Sequence, residues 1–570
     1  MQVYICRYET VYNNHQHYQP GPLNHGERAD SGCLCAASLR SIFFDVEYKM
    51  KVDDMNKFDY IEILDTTLRD GEQTPGVAFA PAEKLAIAKM LYSNLNVDRL
   101  EIGSARVSDG ETDSVRHIIA WAEKLGIVDK MEILGFVDGG KSVEWITEVG
   151  GNVINLLAKG SLRHCEVQLK KTPEEHYADV RKNIELAVAK GLKVNVYLED
   201  WTGGMKHSRD YVEKFMDMLV TLPVQRVMLP DTLGIARPDE LREYFTWMKE
   251  KYPEVKTDFH GHNDYGLVTA NSLVAVQCGV NGIHTTVNGL GERTGNQSLS
   301  QLCVVVKDMT DRKIMVNEEE LFHASTMIQN ISGKRCAWNN PVVGVDVFTQ
   351  TCGVHADGDK KGDLYANKLL PERFGRRRNY ALGKLSGKAS LDKNLEELSL
   401  DLVPEVKAKV LQEIIRLGDK KKNVSASDLP FLIASALKTP LESRLKVVDY
   451  HIISNAKSVP IATVKIDFEG TIVDHCSEGD GGYDAFVKAL RRCLKEINID
   501  MPKLLDYEVR IPPGGKTDAL VETTITWDYP LANGISNLTT TGVDTDQMVA
   551  AIIATEKMLN LIMQKNEKKS

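Results

Sequence analysis

From Phe58 onward the chain alternates short apolar runs with longer amphipathic ones, eight times over. No other feature restricts the fold as much, because strands separated by helix-length segments must pair in parallel. The expected strands are Tyr60–Leu64, Arg99–Ile102, Met131–Phe136, Val153–Leu157, Lys193–Leu198, Arg226–Leu229, Thr257–His260 and Gly282–Val287. Helical patterns lie between them, and three of these, Pro81–Leu95, Pro173–Ala189 and Pro238–Tyr252, open on a proline suited to a first helical turn. Eight such units in about 250 residues predict a closed (β/α)8 barrel, an α/β fold. A doubly wound open sheet is the competing architecture.

A barrel places its chemistry where the strands end. The polar residues gather there. Strand one runs into Asp65-Thr-Thr-Leu-Arg69-Asp70, strand five into Glu199-Asp200 and strand six into Pro230-Asp231-Thr232. Strand seven runs into His260 and His262, and strand eight into Asn288-Gly-Leu-Gly-Glu-Arg-Thr-Gly-Asn296. Two histidines one residue apart on a strand face the same way, so both can bind one ion. Asp70 and Asn296 stand at neighbouring strand ends. Imidazoles with oxygen donors suit Mn, Mg, Zn or Co alike. Arg69 is either a salt-bridging residue of the barrel mouth or a guanidinium that stabilises an enolate oxygen. Glu199 is a rim carboxylate or a substrate-handling group. The Gly289–Gly295 stretch reads GxGxxxG and follows the last strand, so it is not a dinucleotide fingerprint.

The chain has 570 residues, enough for two or three domains, and 43% of them are hydrophobic. A net charge of −10 argues against a nucleic-acid binder. The run Arg376-Arg377-Arg378 reads as a solvated loop. Ten cysteines without CxxC pairs look like reduced thiols of a cytoplasmic protein. No stretch has the length of a transmembrane helix, and the N-terminus lacks the pattern of a secretory signal. Residues 1–57 have little periodicity. They read as a disordered or spurious extension, with Met50 and Met55 as plausible starts. The barrel is expected over 58–310. A mostly helical linker region with glycine-rich loops follows over 311–445, and a separate α+β domain over 446–570. The last carries an internal repeat of strand-like runs followed by one helix, the helices ending near Ile497 and Met563.

Taken together, Asp65-Thr-Thr-Leu-Arg-Asp-Gly-Glu-Gln73, His260-Gly-His-Asn-Asp264 and Asn288-Gly-Leu-Gly-Glu-Arg-Thr-Gly-Asn296 resemble the motifs of the isopropylmalate, homocitrate and citramalate synthases. These are metal-dependent TIM-barrel enzymes that condense acetyl-CoA with a 2-oxo acid. The resemblance runs from about Phe58 to the C-terminus. It implies that Asp70, His260 and His262 hold a divalent ion, with Asn296 nearby. It implies that Arg69 binds the oxo acid's carbonyl and Thr232 its carboxylate. Glu199 and His355 would serve proton transfers, with Tyr365 close by. His355 lies beyond the barrel and is often supplied by a partner subunit in such enzymes, which implies a homodimer.

In the oxo-acid pocket, a typical isopropylmalate synthase has His at the Asn155 position and Ser at the Tyr197 position. Tyrosine takes room and favours pyruvate. Leu134, Leu157 and Tyr197 are expected to form an apolar wall. These residues resemble the spirochaete-type citramalate branch, as do Tyr197-Leu-Glu-Asp-Trp201, His355-Ala-Asp-Gly-Asp-Lys-Lys361, Leu370-Pro-Glu-Arg-Phe-Gly375 and Arg510-Ile-Pro-Pro-Gly-Gly-Lys-Thr-Asp518. The resemblance thus implies (R)-citramalate formation on the route to isoleucine, with 2-isopropylmalate synthase as the alternative. Homocitrate synthesis is disfavoured because no basic residue stands in the pocket wall. The C-terminal repeat resembles an allosteric domain that takes isoleucine, at positions matching Tyr483, Leu504, Tyr507, Ile511, Val521 and Gln547; Thr545 stands where the relatives carry proline. A metal- and amino-acid-binding sensor without catalysis is the reading from another class, opposed by intact Arg69, Glu199 and His355.

Overall fold

The computed structural model describes residues 59–351, 367–397, 402–419, 444–455, 458–510, 521–530 and 537–567, with a few single positions between them. The N-terminal extension, with Met50 and Met55, lies outside the described residues. Eight parallel strands close into a barrel in sequence order: β1 (Glu62–Asp65), β2 (Arg99–Ser104), β3 (Met131–Phe136), β4 (Val153–Lys159), β5 (Lys193–Glu199), β6 (Val224–Asp231), β7 (Thr257–Gly261) and β8 (Gly282–Thr285). The pairing of β1 with β8, Leu64 opposite His284, closes the ring and excludes the open sheet.

Helix ends follow local chemistry. The helix Asp109–Leu125 is capped by the Ser108 hydroxyl and stops at Gly126, whose φ of 70° suits a residue without Cβ. The helix Pro173–Ala189 starts from a capping box in which Thr172 and Glu175 satisfy each other's backbone N–H. Two expected elements differ in extent. The helix begun at Pro81 is α-helical only to Lys89 and widens into a π turn over Met90–Asn94, which lets Met90, Leu91 and Leu95 all bury. Strand eight stops at Thr285, because the backbone turns at Asn288, where φ is 61°.

The barrel interior is charged at its floor. Arg99 on β2 pairs with Glu132 at 2.7 Å and Asp258 at 2.6 Å, and Arg226 on β6 pairs with Asp258 at 2.7 Å and Glu62 at 2.8 Å. Burial raises the Asp258 carboxyl, but Arg226 and Arg99 outweigh it and hold the group well below the usual range. Above this floor, Leu64, Leu134, Tyr197 and Met228 form a small apolar cluster of their own, with Leu157 packed against it.

Beyond the barrel come the helices Leu299–Met309, Leu321–Ser332, Lys388–Glu397 and Pro404–Asp419 and a short parallel pair, Thr349–Gln350 with Asn379–Tyr380. The reading of Arg376-Arg377-Arg378 as a solvated loop is corrected for Arg376. Its guanidinium lies 4.2 Å from the Phe322 ring centroid and 5.0 Å from that of Phe348, and donates to the carbonyls of Val342, Gly344 and Val345. Three carbonyls and two ring faces compensate its burial, so a basic run in sequence hides a structural clamp.

The C-terminal repeat is two similar units. In the first, antiparallel strands Leu445–Asn455, Ser458–Phe468 and Thr471–Glu478 are followed by a helix Gly482–Glu496. In the second, Leu504–Arg510, Val521–Pro530 and Asn537–Asp544 are followed by a helix Gln547–Glu567. Both helices pack into one apolar core that includes Phe486, Leu490, Trp527 and Met558. Among the described residues no helix is long and apolar enough to cross a membrane.

Candidate active site and metal centre

Alternation along β7 points Asp258 and His260 into the barrel, Asp258 at the floor and His260 nearer the mouth. His262 follows one step beyond the strand, held by a backbone bridge to Asn296. Asp70 comes from the turn after β1. Its Oδ2 lies 3.1 Å from His260 Nε2, and His260 Nε2 lies 3.4 Å from His262 Nε2. These three donors converge, and all three residues are buried.

The donor set fits a divalent ion. Two ligand atoms each about 2.1 Å from one ion lie roughly 3.0 to 3.4 Å apart at octahedral or tetrahedral angles. Asp70 Oδ1 and Asn296 Oδ1 are buried without a hydrogen-bond partner among the described residues, as are the Nδ1 atoms of both histidines. Asn296 gives its amide N–H to the Leu290 carbonyl at 3.0 Å, which leaves the oxygen to serve as a ligand. Burial, with His260 beside it, lowers His262 to about 4, so its ring is neutral and able to donate a lone pair at neutral pH. The loop that delivers Asn296 needs Gly295: φ is 83° there, and a Cβ would fall on the Gly289 carbonyl.

Arg69 stands beside this centre. It reaches Asp70 at 3.4 Å and is held by Glu101, which accepts its Nε at 2.8 Å and its Nη2 at 2.7 Å. Glu101 also accepts from the Thr66 hydroxyl at 2.7 Å and from Asn155 at 3.0 Å, and Asn155 accepts from Asn195 at 2.9 Å. Burial raises Glu101, but Arg69 and the Asn155 and Thr66 hydrogen bonds keep it below the usual range. The first motif therefore has two jobs: Asp70 and Arg69 face the site, while Asp65, Thr66 and Thr67 brace it. Asp65 accepts the Thr67 N–H at 2.9 Å, and Thr67 Oγ1 accepts the Val287 N–H at 2.9 Å.

Around the mouth, Leu134, Leu157 and Tyr197 share the apolar cluster. Tyr197 turns its ring edge-on to His260, and its hydroxyl lies 3.0 Å from His284 Nδ1. Thr232 Oγ1 accepts the Asp200 N–H at 2.9 Å, which leaves its own proton to donate. Glu199 ends β5 in an ion pair with Lys159 at the end of β4. His355 and Tyr365 lie outside the described residues. In the C-terminal unit, Tyr483 and Tyr507 meet with ring centroids 5.0 Å apart, and Gln547 opens the last helix. Val521 is buried, Leu504 is exposed on its strand, and Ile511 lies outside the described residues.

Sequence reasoning missed Glu101, Lys159, His284 and the floor network. The signal was present in part: Arg99 and Glu101 are two apart on a strand buried on both faces, so both point inward.

Three family models match successive parts of the chain: HMGL-like over residues 60–328, homocitrate synthase post-HMGL domain-like over 342–422, and the LeuA allosteric (dimerisation) domain over 423–563. A putative (R)-citramalate synthase CimA from Methanopyrus kandleri is 33% identical over 82% of this chain and 90% of its own length. The chain belongs to the citramalate and isopropylmalate synthase family. A probable 2-isopropylmalate synthase of the same organism is 32% identical over 89% of this chain and 99% of its own. The (R)-citramalate synthase CimA of Methanocaldococcus jannaschii is 31% identical over 88% and 99%. Among solved structures, the HMG-CoA lyase of Bacillus subtilis is 20% identical, covering 50% of this chain and 98% of that one, with a TM-score of 0.43. As a member of this synthase family the chain is an acyltransferase, and Asp70, His260 and His262 are its candidate metal site.

Proposed function

We propose that the protein condenses acetyl-CoA with pyruvate and hydrolyses the thioester, giving (R)-citramalate and CoA at the entry to isoleucine synthesis. The observation that carries this reading is the placement of Tyr197. It stands with Leu134 and Leu157 beside the converged donors of Asp70 and His260, where the 2-oxo acid's alkyl group would sit. A phenol there leaves room for a methyl group more readily than for an isopropyl group.

We assign the roles as follows. An ion bound by Asp70, His260, His262 and Asn296 supplies Lewis acidity to the 2-oxo acid's carbonyl oxygen. Arg69, fixed by Glu101, meets the negative charge that gathers on that oxygen. Thr232 donates its remaining hydroxyl proton to the carboxylate. Glu199, oriented by Lys159, is placed to take a proton from the acetyl methyl group, with His355 and Tyr365 as further proton-handling groups. The enolate carbon then bonds to the carbonyl carbon. Water attacks the thioester, the C–S bond breaks, and CoA leaves as the thiol.

The C-terminal repeat, over 446–570, serves as a dimerising regulatory domain that binds isoleucine beside Tyr483, Tyr507 and Gln547. The free thiols, among them Cys165, Cys303 and Cys493, suit the reducing cytoplasm. Formation of 2-isopropylmalate from 2-oxoisovalerate is the second reading, since a relative of that name matches as much of the chain. The test is CoA release, followed with a thiol reagent, from purified protein with acetyl-CoA and a divalent salt. Release that requires a 2-oxo acid is expected. No release with any 2-oxo acid would leave the sensor reading.

A further inference from the structure

The floor of the barrel and the pocket wall are joined through one residue. His284 lies on β8, fully buried, between Asp258 below and Tyr197 above. Its Nε2 is 3.4 Å from Asp258 Oδ2, and its Nδ1 is 3.0 Å from the Tyr197 hydroxyl. The rings of Tyr197 and His284 meet edge-to-face with centroids 5.5 Å apart.

The direction of these hydrogen bonds is fixed from below. Asp258 also receives Arg99 and Arg226 and stays a carboxylate, so it can only accept. His284 Nε2 must therefore carry the proton that faces it. In the tautomer with its proton on Nε2, the imidazole has a lone pair on Nδ1. The Tyr197 hydroxyl then donates to Nδ1. The other acceptor within reach, Glu101 Oε2, lies at 3.4 Å and already takes donors from Thr66 and Arg69. The phenol is thus held at its far end by a histidine whose tautomer is set by the barrel floor.

We propose that His284 is a positioning and specificity-determining residue, which fixes the Tyr197 ring across the 2-oxo acid's alkyl pocket and so sets the size of side chain the enzyme accepts. The inference rests on the proposed condensation reaction. A ring free to swing about its χ angles would open space for a longer alkyl group and hold pyruvate less closely. A floor contact thereby acts on substrate choice without touching the substrate.

Three variants and a double variant test this, each read as kcat/KM for pyruvate and for 2-oxobutanoate, one methylene longer. Tyr197→Phe keeps the ring and loses the hydroxyl. His284→Leu removes the acceptor, and His284→Asn keeps an oxygen near the Nδ1 position. Loss of one hydrogen bond corresponds to roughly a three- to tenfold change. Tyr197→Phe and His284→Leu are each expected to lower the pyruvate preference by about that factor, mainly through KM for pyruvate. The double variant is expected to be no worse than either single one, and His284→Asn to restore most of the preference. An unchanged ratio in Tyr197→Phe, additive losses in the double variant, or no rescue by His284→Asn would overturn the proposal. If the wild type turns over a different 2-oxo acid, the pyruvate reading fails. The same variants then test the relay with that acid and its next homologue.

Discussion

Removing an imidazole from the converged donors has a predictable cost. His260 touches both Asp70 and His262 through one nitrogen, so His260→Ala takes away the central member of the set. We expect Mn2+ affinity, measured by calorimetry, to fall at least tenfold, and CoA release to fall with it. Unchanged affinity would move the metal elsewhere. At the pocket wall, Tyr197→Ser is expected to shift preference toward 2-oxoisovalerate by about tenfold in relative kcat/KM, because it removes both ring volume and the His284 contact. An unchanged ratio would contradict the crowding argument. His260 and His262 were legible in the sequence because a period of two on a strand is a strong signal. Glu101 was not, because it touches Arg69 from the neighbouring strand, and a cross-strand partner leaves no mark in local spacing.

The ends of β4 and β5 show how an element is held for its task. The His176 ring sits under β4: Nε2 accepts the Lys159 N–H at 3.3 Å, and Nδ1 lies 2.8 Å from the Tyr211 hydroxyl, which donates to the Lys159 carbonyl at 2.9 Å. Both backbone groups of Lys159 are thus satisfied, and its side chain is left to meet Glu199. Burial, aided by Lys171, lowers His176 to about 4, against 6.5 for an ordinary histidine. Between those values the unfolded chain takes up a proton that the folded chain refuses. Stability from this group is therefore full above pH 6.5 and lost as pH falls toward 4. His262 and His284 act in the same direction. Asp258, held well below the usual range, contributes its loss only at still lower pH. The urea midpoint is expected to drop between pH 7 and pH 5, with a shallower drop in His176→Gln; a flat midpoint would contradict these assignments. At the floor, Arg226→Met leaves Asp258 and Glu62 short of a partner and is expected to destabilise by about 3–5 kcal/mol, seen as a lower melting temperature. The barrel strands were readable from alternation, Met131–Phe136 to the residue. The π turn at Met90–Asn94 was not, because its apolar pattern is that of a continuing helix.

Across the whole molecule, a barrel with chemistry at its mouth is followed by a repeat whose halves each bury a helix on a three-stranded sheet. That repeat was visible in sequence because each half is a complete run of strands and one helix. The helical region between was harder to read, since its clamps, such as Arg376 on Phe322 and Phe348, join segments far apart in the chain. If the repeat regulates the barrel, isoleucine at millimolar concentration lowers the rate of the full chain, and Tyr483→Ala blunts the effect while CoA release without effector persists. Inhibition by leucine alone would assign the other branch of amino-acid synthesis. The central claim is that this barrel activates the carbonyl of pyruvate rather than that of a branched 2-oxo acid. The most direct test is kcat/KM for pyruvate against 2-oxoisovalerate, from CoA release with saturating acetyl-CoA. At least a tenfold preference for pyruvate is predicted; equal use, or a preference for 2-oxoisovalerate, would contradict it.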